Sequence, residues 1–279
     1  MRLPFRVLAA ALLFASANQA VTLSELTASV PEPERISYKT GLSLFVFRPS
    51  EQGPRPAVVW IHGGGWTGGK PDLFFPHARY TALRGAVGIA INYRLVREGG
   101  PTMADSFEDC KSALRYIRAH AAELGVDPHR IAVVGDSAGG HLAAALGTIS
   151  DVLPNAMILF NPIVDLTEGN WSARASGKAR ELSPLFHVRK GLPPTILLHG
   201  LDDTVVSPDQ ARRFAKAMQD AGNRCDLKLV PGAKHAFVIP NYTAPEPLVV
   251  QAIRDADAFL VSLGYFRGPA TLSLSNNPH

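Results

Sequence analysis

Arg130-Ile131-Ala132-Val133-Val134-Gly135-Asp136-Ser137-Ala138-Gly139-Gly140-His141-Leu142-Ala143-Ala144-Ala145-Leu146 decides the fold. After Arg130 its opening residues are apolar and largely β-branched, as a buried strand requires. Its closing residues, rich in alanine and leucine, favour a helix. Between them stands Gly-x-Ser-x-Gly, the spacing of a nucleophile elbow when a strand precedes it and a helix follows. The glycines have a physical reason: a serine on so sharp a turn has a strained backbone, and a Cβ two residues away would crowd it. A helix starting at Ser137 aims its free N–H groups at any oxyanion that forms there. Alone the motif could be a plain strand-to-helix turn; its weight comes from partners elsewhere in the chain.

The first partner lies upstream. Residues 57–62 form a continuous apolar run, the pattern of a central strand buried on both faces, and they lead into His62-Gly63-Gly64-Gly65-Trp66. This HGGG-type loop supplies backbone N–H groups to an oxyanion, because glycines let the backbone approach without side chains in the way. With Ala138, Gly64 and Gly65 are the expected oxyanion donors, and Trp66 beside them is expected to contact substrate. Two nucleotide-binding patterns overlap this loop and both fail. Gly63-x-Gly65-x-x-Gly68 lacks an acidic residue about twenty positions on. Gly64 to Lys70 is followed by Pro71 where a phosphate loop needs a hydroxyl. No cofactor is expected.

The other partners lie downstream. Asp203 follows the apolar strand 194–200, and His235 follows the last strand, 226–230. The order Ser137, Asp203, His235, each just after a strand, is the α/β-hydrolase order. A serine hydroxyl needs an imidazole to take its proton, and the imidazole needs an acid to fix its tautomer. Asp202 and Asp165 are weaker candidates for the acid. His62 is expected to orient the glycine loop, His141 to pack in its helix, and His199 to be structural. Residues 161–194 carry Trp171 and no long apolar period, which fits an active-site lid or a substrate-facing excursion. Strands alternating with helices, among them a long helix over 103–124, predict a mostly parallel sheet with helices on both faces.

Length and composition bound the rest. The 279 residues suit one α/β domain, or at most two, and the 28 basic against 24 acidic residues include no basic cluster interleaved with aromatics, so no nucleic-acid partner is expected. Residues 1–20 read as a signal peptide: Arg2 and Arg6, a short apolar run over 7–15, then Ala15-Ser16-Ala17 as a cleavage site. That run is too short for a membrane span. The expected division is 1–20 signal peptide, 21–267 alpha/beta-hydrolase domain with an extended arm over 21–35, and 268–279 flexible tail. Cys110 and Cys225 are expected to be unpaired, and no Cys/His cluster has metal-ligand spacing.

At these motifs the chain resembles a known family. The HGGGW loop, Gly135 to His141, His199-Gly200-Leu201-Asp202-Asp203 and Lys234-His235-Ala236-Phe237 are similar to the alpha/beta-hydrolase fold-3 esterases, the hormone-sensitive-lipase-like group. The short chain, Asp109-Cys110-Lys111 and Ser183-Pro184-Leu185 resemble its branch of small feruloyl and acetyl-xylan esterases. The resemblance runs over residues 37–263. It implies an alpha/beta-hydrolase fold, a Ser-His-Asp triad and an exported carboxylesterase acting on short-chain or aromatic esters. The substrate would be a small-molecule or polysaccharide-linked ester. Larger members carry an N-terminal helical cap; only residues 21–35 are available here, so a minimal cap and an open site are implied. Alternative readings are an arylformamidase or other amidase-type hydrolase, and a non-catalytic binding protein on the same fold.

Overall fold

A strand covered on both faces needs apolar residues at every position, and residues 57–61, 87–91 and 156–160 meet that demand. In the computed structural model, which describes residues 20–275, they lie inside an eight-stranded sheet. In chain order the elements are β1 (Val21–Thr22), α1 (Leu23–Ala28), β2 (Glu34–Lys39), β3 (Leu42–Phe47), β4 (Arg55–Ile61), α2 (Phe75–Leu83), β5 (Val87–Ile91), α3 (Met103–Ala119), α4 (Ala121–Leu124), β6 (Val126–Asp136), α5 (Ala138–Thr148), β7 (Ala156–Phe160), β8 (Thr195–Gly200), α6 (Pro208–Asp220), β9 (Cys225–Val230), α7 (Glu246–Ser262) and β10 (Leu272–Ser273). The sheet order is β2-β3-β5-β4-β6-β7-β8-β9. β3 runs antiparallel to both of its neighbours, and every pairing from β5 to β9 is parallel. This is the mostly parallel, helix-covered sheet of the α/β-hydrolase fold.

Two apolar layers flank the sheet. α3, α5 and α6 bury Phe107, Leu114, Leu142 and Phe214 on one face. α1, α2 and α7 bury Leu26, Tyr80, Val249 and Phe259 on the other. Adjacent β4 and β6 therefore send their following segments to opposite faces, towards α2 and towards α5. A crevice opens where they part, at the carboxyl ends of the strands, the place an open α/β sheet offers a ligand. Among the described residues no helix is long and apolar enough to cross a membrane. Cys110 and Cys225 are both unpaired and buried.

The structure departs from expectation in three places. Residues 21–35 are not simply an extended arm: Thr22 caps α1, and Glu25 completes a capping box with it. Leu23 and Leu26 bury the inner side of that helix. The long helix over 103–124 breaks at His120 into α3 and α4, and Gly125 ends the second in the left-handed region. The expected flexible tail begins with ordered chain, since β10 pairs in parallel with β1 and Leu272 is fully buried. The proposed signal sequence lies outside the described residues, apart from Ala20.

The last difference can be measured. Leu272→Ala is expected to lower the unfolding free energy by about 2 kcal/mol or more, the usual effect of truncating a buried leucine. Urea denaturation gives the value. A frayed tail would give no change.

Candidate active site

The strand-to-helix turn after β6 puts Ser137 at φ 55° and ψ −119°, the first central position of a type II′ turn, where glycine is the usual residue. Close packing holds it there. A Cβ on Gly135 would lie 2.1 Å from the Gly139 carbonyl oxygen, and one on Gly139 would lie 2.0 Å from the Ile61 carbonyl oxygen of β4. Both positions require glycine because backbone meets backbone. The Ser137 amide donates to the Phe160 carbonyl at 3.0 Å, which ties the turn to β7.

His235 and Asp203 converge on this serine. Asp203 Oδ2 faces His235 Nδ1 at 2.8 Å, so Nδ1 carries the proton. His235 Nε2 is left as an acceptor, 2.8 Å from Ser137 Oγ. The loop carrying His235 is anchored on both sides. Phe237 is buried edge-on against Phe160, His77 of α2 donates Nε2–H to the Val238 carbonyl, and Thr243 Oγ1 donates to the His235 carbonyl.

Asp203 is held as a carboxylate. Oδ1 accepts the amides of Val205 and Val206 at 2.8 and 2.9 Å. Oδ2 lies 3.2 Å from Nε2 of the buried His199 as well as beside His235. Burial alone would raise its pKa, but the hydrogen bonds from His199, His235 and the Val206 amide outweigh burial and hold it well below the carboxylate range. Contact of His199 with the acid was not among the sequence expectations; its position at the end of a strand, four residues before Asp203, was the available signal. Asp202 is exposed, with its amide on the Ala233 carbonyl. Asp165 faces Thr167 and Arg213 instead of His235.

The glycine loop closes the other side. Gly64 and Gly65 have φ of 108° and 60°, and neither amide donates to another oxygen among the described residues. His62 faces the Gly63 carbonyl through Nδ1 and stacks on Tyr93, whose hydroxyl donates to the His62 carbonyl. It orients the loop, as expected.

Trp66 is a correction. It was expected to touch substrate, yet it is fully buried. Its Nε1–H donates to His141 Nδ1 at 3.2 Å, and His141 Nε2–H donates to the Leu182 carbonyl at 2.8 Å. This relay ties the glycine loop to α5 and to the 161–194 segment. An indole beside the loop signals proximity only; its direction depends on a histidine 75 positions away in sequence.

A cavity of about 590 Å³ opens over Ser137 and His235. Leu73, Trp171, Val205, Ile239 and Tyr242 give it apolar walls, and Arg174 stands at its edge. The 161–194 segment reaches the cavity through Trp171 and Arg174, which lie on the short 3-10 turn Gly169–Ala175. Arg174 and Tyr242 had no sequence signal beyond lying in aperiodic loops. Asp136 lines the floor; burial pushes its carboxyl up to about 6 despite the nearby His235 and a hydrogen bond from Asn161.

Known proteins carry similar chains. A family model described as BD-FAE matches residues 44–161. The chain is similar to esterase 2 of the planctomycete Thermogutta terrifontis, solved with propionate bound: 38% identical, TM-score 0.79, covering 86% of this chain and 97% of that one. The same esterase has been solved phosphorylated by paraoxon. The probable carboxylic ester hydrolase LipM of Mycobacterium tuberculosis is 29% identical over 217 residues, 66% of this chain and 50% of LipM. An acetylxylan esterase of Xylanibacter ruminicola is 28% identical over 247 residues, 81% of this chain and 48% of that protein. The chain thus spans about half the length of these last two relatives.

The buried histidines make stability pH-dependent. Burial pushes His62, His77 and His141 down to about 4 each. All three are neutral when folded but protonate below roughly pH 6.5 when unfolded. The unfolded chain therefore binds more protons between these values, and stability falls as pH drops from 6.5 towards 4. The three histidines alone give a slope approaching about 4 kcal/mol per pH unit, and below about pH 6 Asp136, protonated in the folded chain and ionised in the unfolded one, offsets about one proton of it. Urea midpoints across this window should show His141→Gln reducing the slope by about one proton. An unchanged slope would mean that His141 is not held neutral by the fold.

Proposed function

This chain belongs to the hormone-sensitive-lipase-like esterases of the alpha/beta-hydrolase fold, and from that premise we propose that it is a serine carboxylesterase acting through an acyl-enzyme on Ser137. The observation that carries this reading is the continuous Asp203–His235–Ser137 hydrogen-bonded line, 2.8 Å at each step, at the floor of an open cavity. Ser137 Oγ attacks the ester carbonyl carbon as its proton passes to His235 Nε2. The Asp203 carboxylate stabilises the resulting imidazolium. The amides of Gly64, Gly65 and Ala138 receive the oxyanion, and each such donor is worth roughly 3–4 kcal/mol in the transition state. Collapse expels the alcohol, which takes the proton from His235. Water then enters, loses a proton to His235, and releases the acid from Ser137.

The cavity supports short-chain and aromatic esters as the substrate class. Its walls are apolar, Trp171 and Tyr242 offer ring faces, and Tyr242 is 70% exposed at the mouth. Among the described residues the N-terminal helix α1 is short, packs beside α2 and contributes no residue to the cavity lining. Such a mouth also admits acetyl or feruloyl groups carried on plant polysaccharide, a reading supported by the similarity to an acetylxylan esterase. Residues 1–20, with their basic start, apolar run and Ala-x-Ala site, support export.

The test is turnover of p-nitrophenyl esters of increasing acyl length, methyl ferulate and acetylated xylan. Ser137→Ala should abolish release on all of them while the far-UV spectrum is unchanged. Asp203→Asn should lower kcat by on the order of 10⁴, as when a triad acid is removed. Paraoxon should inactivate the wild type and leave a single diethylphosphoryl adduct on Ser137 in the mass spectrum. Retained hydrolysis in the Ser137→Ala protein would sink this mechanism.

A further inference from the structure

Ester hydrolysis by Ser137, His235 and Asp203 makes no use of a guanidinium, yet one stands at the edge of the cavity. Arg174 is the one lysine or arginine among the residues lining it. Its Nη1 donates to the Gly65 carbonyl at 2.9 Å. It lies so close over the glycine loop that a Cβ on Gly65 would come within 2.5 Å of Nη1. The guanidinium carbon sits 5.6 Å from the centre of the Trp171 ring, and that ring packs edge-on against the buried Trp66. One hydrogen bond and one ring face thus hold a cation a single residue's breadth from the amide proposed to receive the oxyanion.

Among the described residues Arg174 takes part in no ion pair. Glu168, at the start of the same turn, is held by Arg213. Asp136 is buried with its Oδ1 bonded to Asn161, and Asp203 is enclosed behind His235 by its four donors. Of the five N–H groups of a guanidinium, one is used here; the others remain for a ligand. A planar fork of this kind matches a carboxylate, to which it can give two parallel hydrogen bonds.

We propose that Arg174 makes this pocket select esters bearing a carboxylate close to the scissile bond, on either the acyl or the alcohol side. The inference rests on the esterase reading and adds a chemical class to it: half-esters of dicarboxylic acids, or esters of hydroxy acids such as sugar acids and phenolic acids. Arg174 is a specificity residue in this scheme and takes no part in proton transfer.

Two matched pairs test it. p-Nitrophenyl hydrogen glutarate against p-nitrophenyl butyrate places the charge on the acyl side. 4-Acetoxybenzoate against phenyl acetate places it on the alcohol side. The reading is the anionic-to-neutral ratio of kcat/KM in the wild type divided by that ratio in Arg174→Gln, so intrinsic ester reactivity cancels. The expected quotient is about tenfold in at least one pair, the scale of one charge contact near a protein surface. Arg174→Lys should restore much of it. Raising ionic strength from about 0.05 to about 0.5 M should shrink the wild-type ratio, because exposed charges are screened. The pair that responds identifies the side. Equal losses on charged and neutral esters would overturn the inference and leave Arg174 as a tether for the glycine loop. Neutral esters turned over with no quotient in either pair would overturn it too, with the esterase reading intact. A wild type inactive on all four esters would instead overturn the esterase reading and this inference with it.

Discussion

The site depends on how closely the backbone of α5 approaches β4. Gly139 lies against the Ile61 carbonyl with no room for a Cβ, and Gly135 lies equally close to Gly139. That contact presses the turn between β6 and α5 into a conformation that costs a serine on the order of 1–3 kcal/mol. The cohesion of two apolar layers sustains it. In return the hydroxyl stands clear of the sheet, with the first amide of α5 beside it. The glycine loop follows β4 itself, so the contact that bends the turn also brings the two proposed sources of oxyanion donors together.

A second theme is the use of neutral histidines as rigid connectors. His62, His77 and His141 are buried, and burial keeps them uncharged at neutral pH. Each joins segments that no strand or helix connects: His62 the glycine loop to Tyr93, His77 the His235 loop to α2, His141 the glycine loop to the 161–194 segment. His141 uses both nitrogens, Nδ1 accepting and Nε2 donating, whereas His62 and His77 each use one nitrogen, and His62 adds its stacked ring. The arrangement also makes the scaffold sensitive to acid. Asp203 shows the complementary logic: four donors surround one carboxylate and hold its charge in place.

Around this rigid floor the walls are built from loops. The 3-10 turn carrying Trp171 and Arg174, the segment with Leu73, and the stretch around Tyr242 each contribute to the mouth. Loops on a fixed sheet are where an α/β fold varies its ligand without disturbing its chemistry. The contact of Arg174 with Gly65 joins the two levels, since one guanidinium touches both the wall and the loop that faces the reacting atoms.

Local physics was enough for much of this. Apolar runs buried on both faces mark β4, β5 and β7, and the glycines around Ser137 and after His62 mark the turns that bring backbone close to a reacting group. The order of serine, aspartate and histidine pointed to one floor, and the structure places His235 within hydrogen-bond reach of both Ser137 and Asp203. The capping box at Thr22 and Glu25 was missed, because the prolines after it pointed to an extended arm. What the sequence could not determine was the direction of each side chain and the pairing of distant segments. Trp66 turns inward because His141 offers it an acceptor; Leu272 is buried because Val21, some 250 positions earlier, pairs beside it. Arg174 and Tyr242 reach the cavity from aperiodic stretches whose path is set by what they pack against. Periodicity and turn chemistry act over a few residues and can be read along the chain. Burial and hydrogen-bond satisfaction are settled between segments far apart in sequence, so only the tertiary structure decides them.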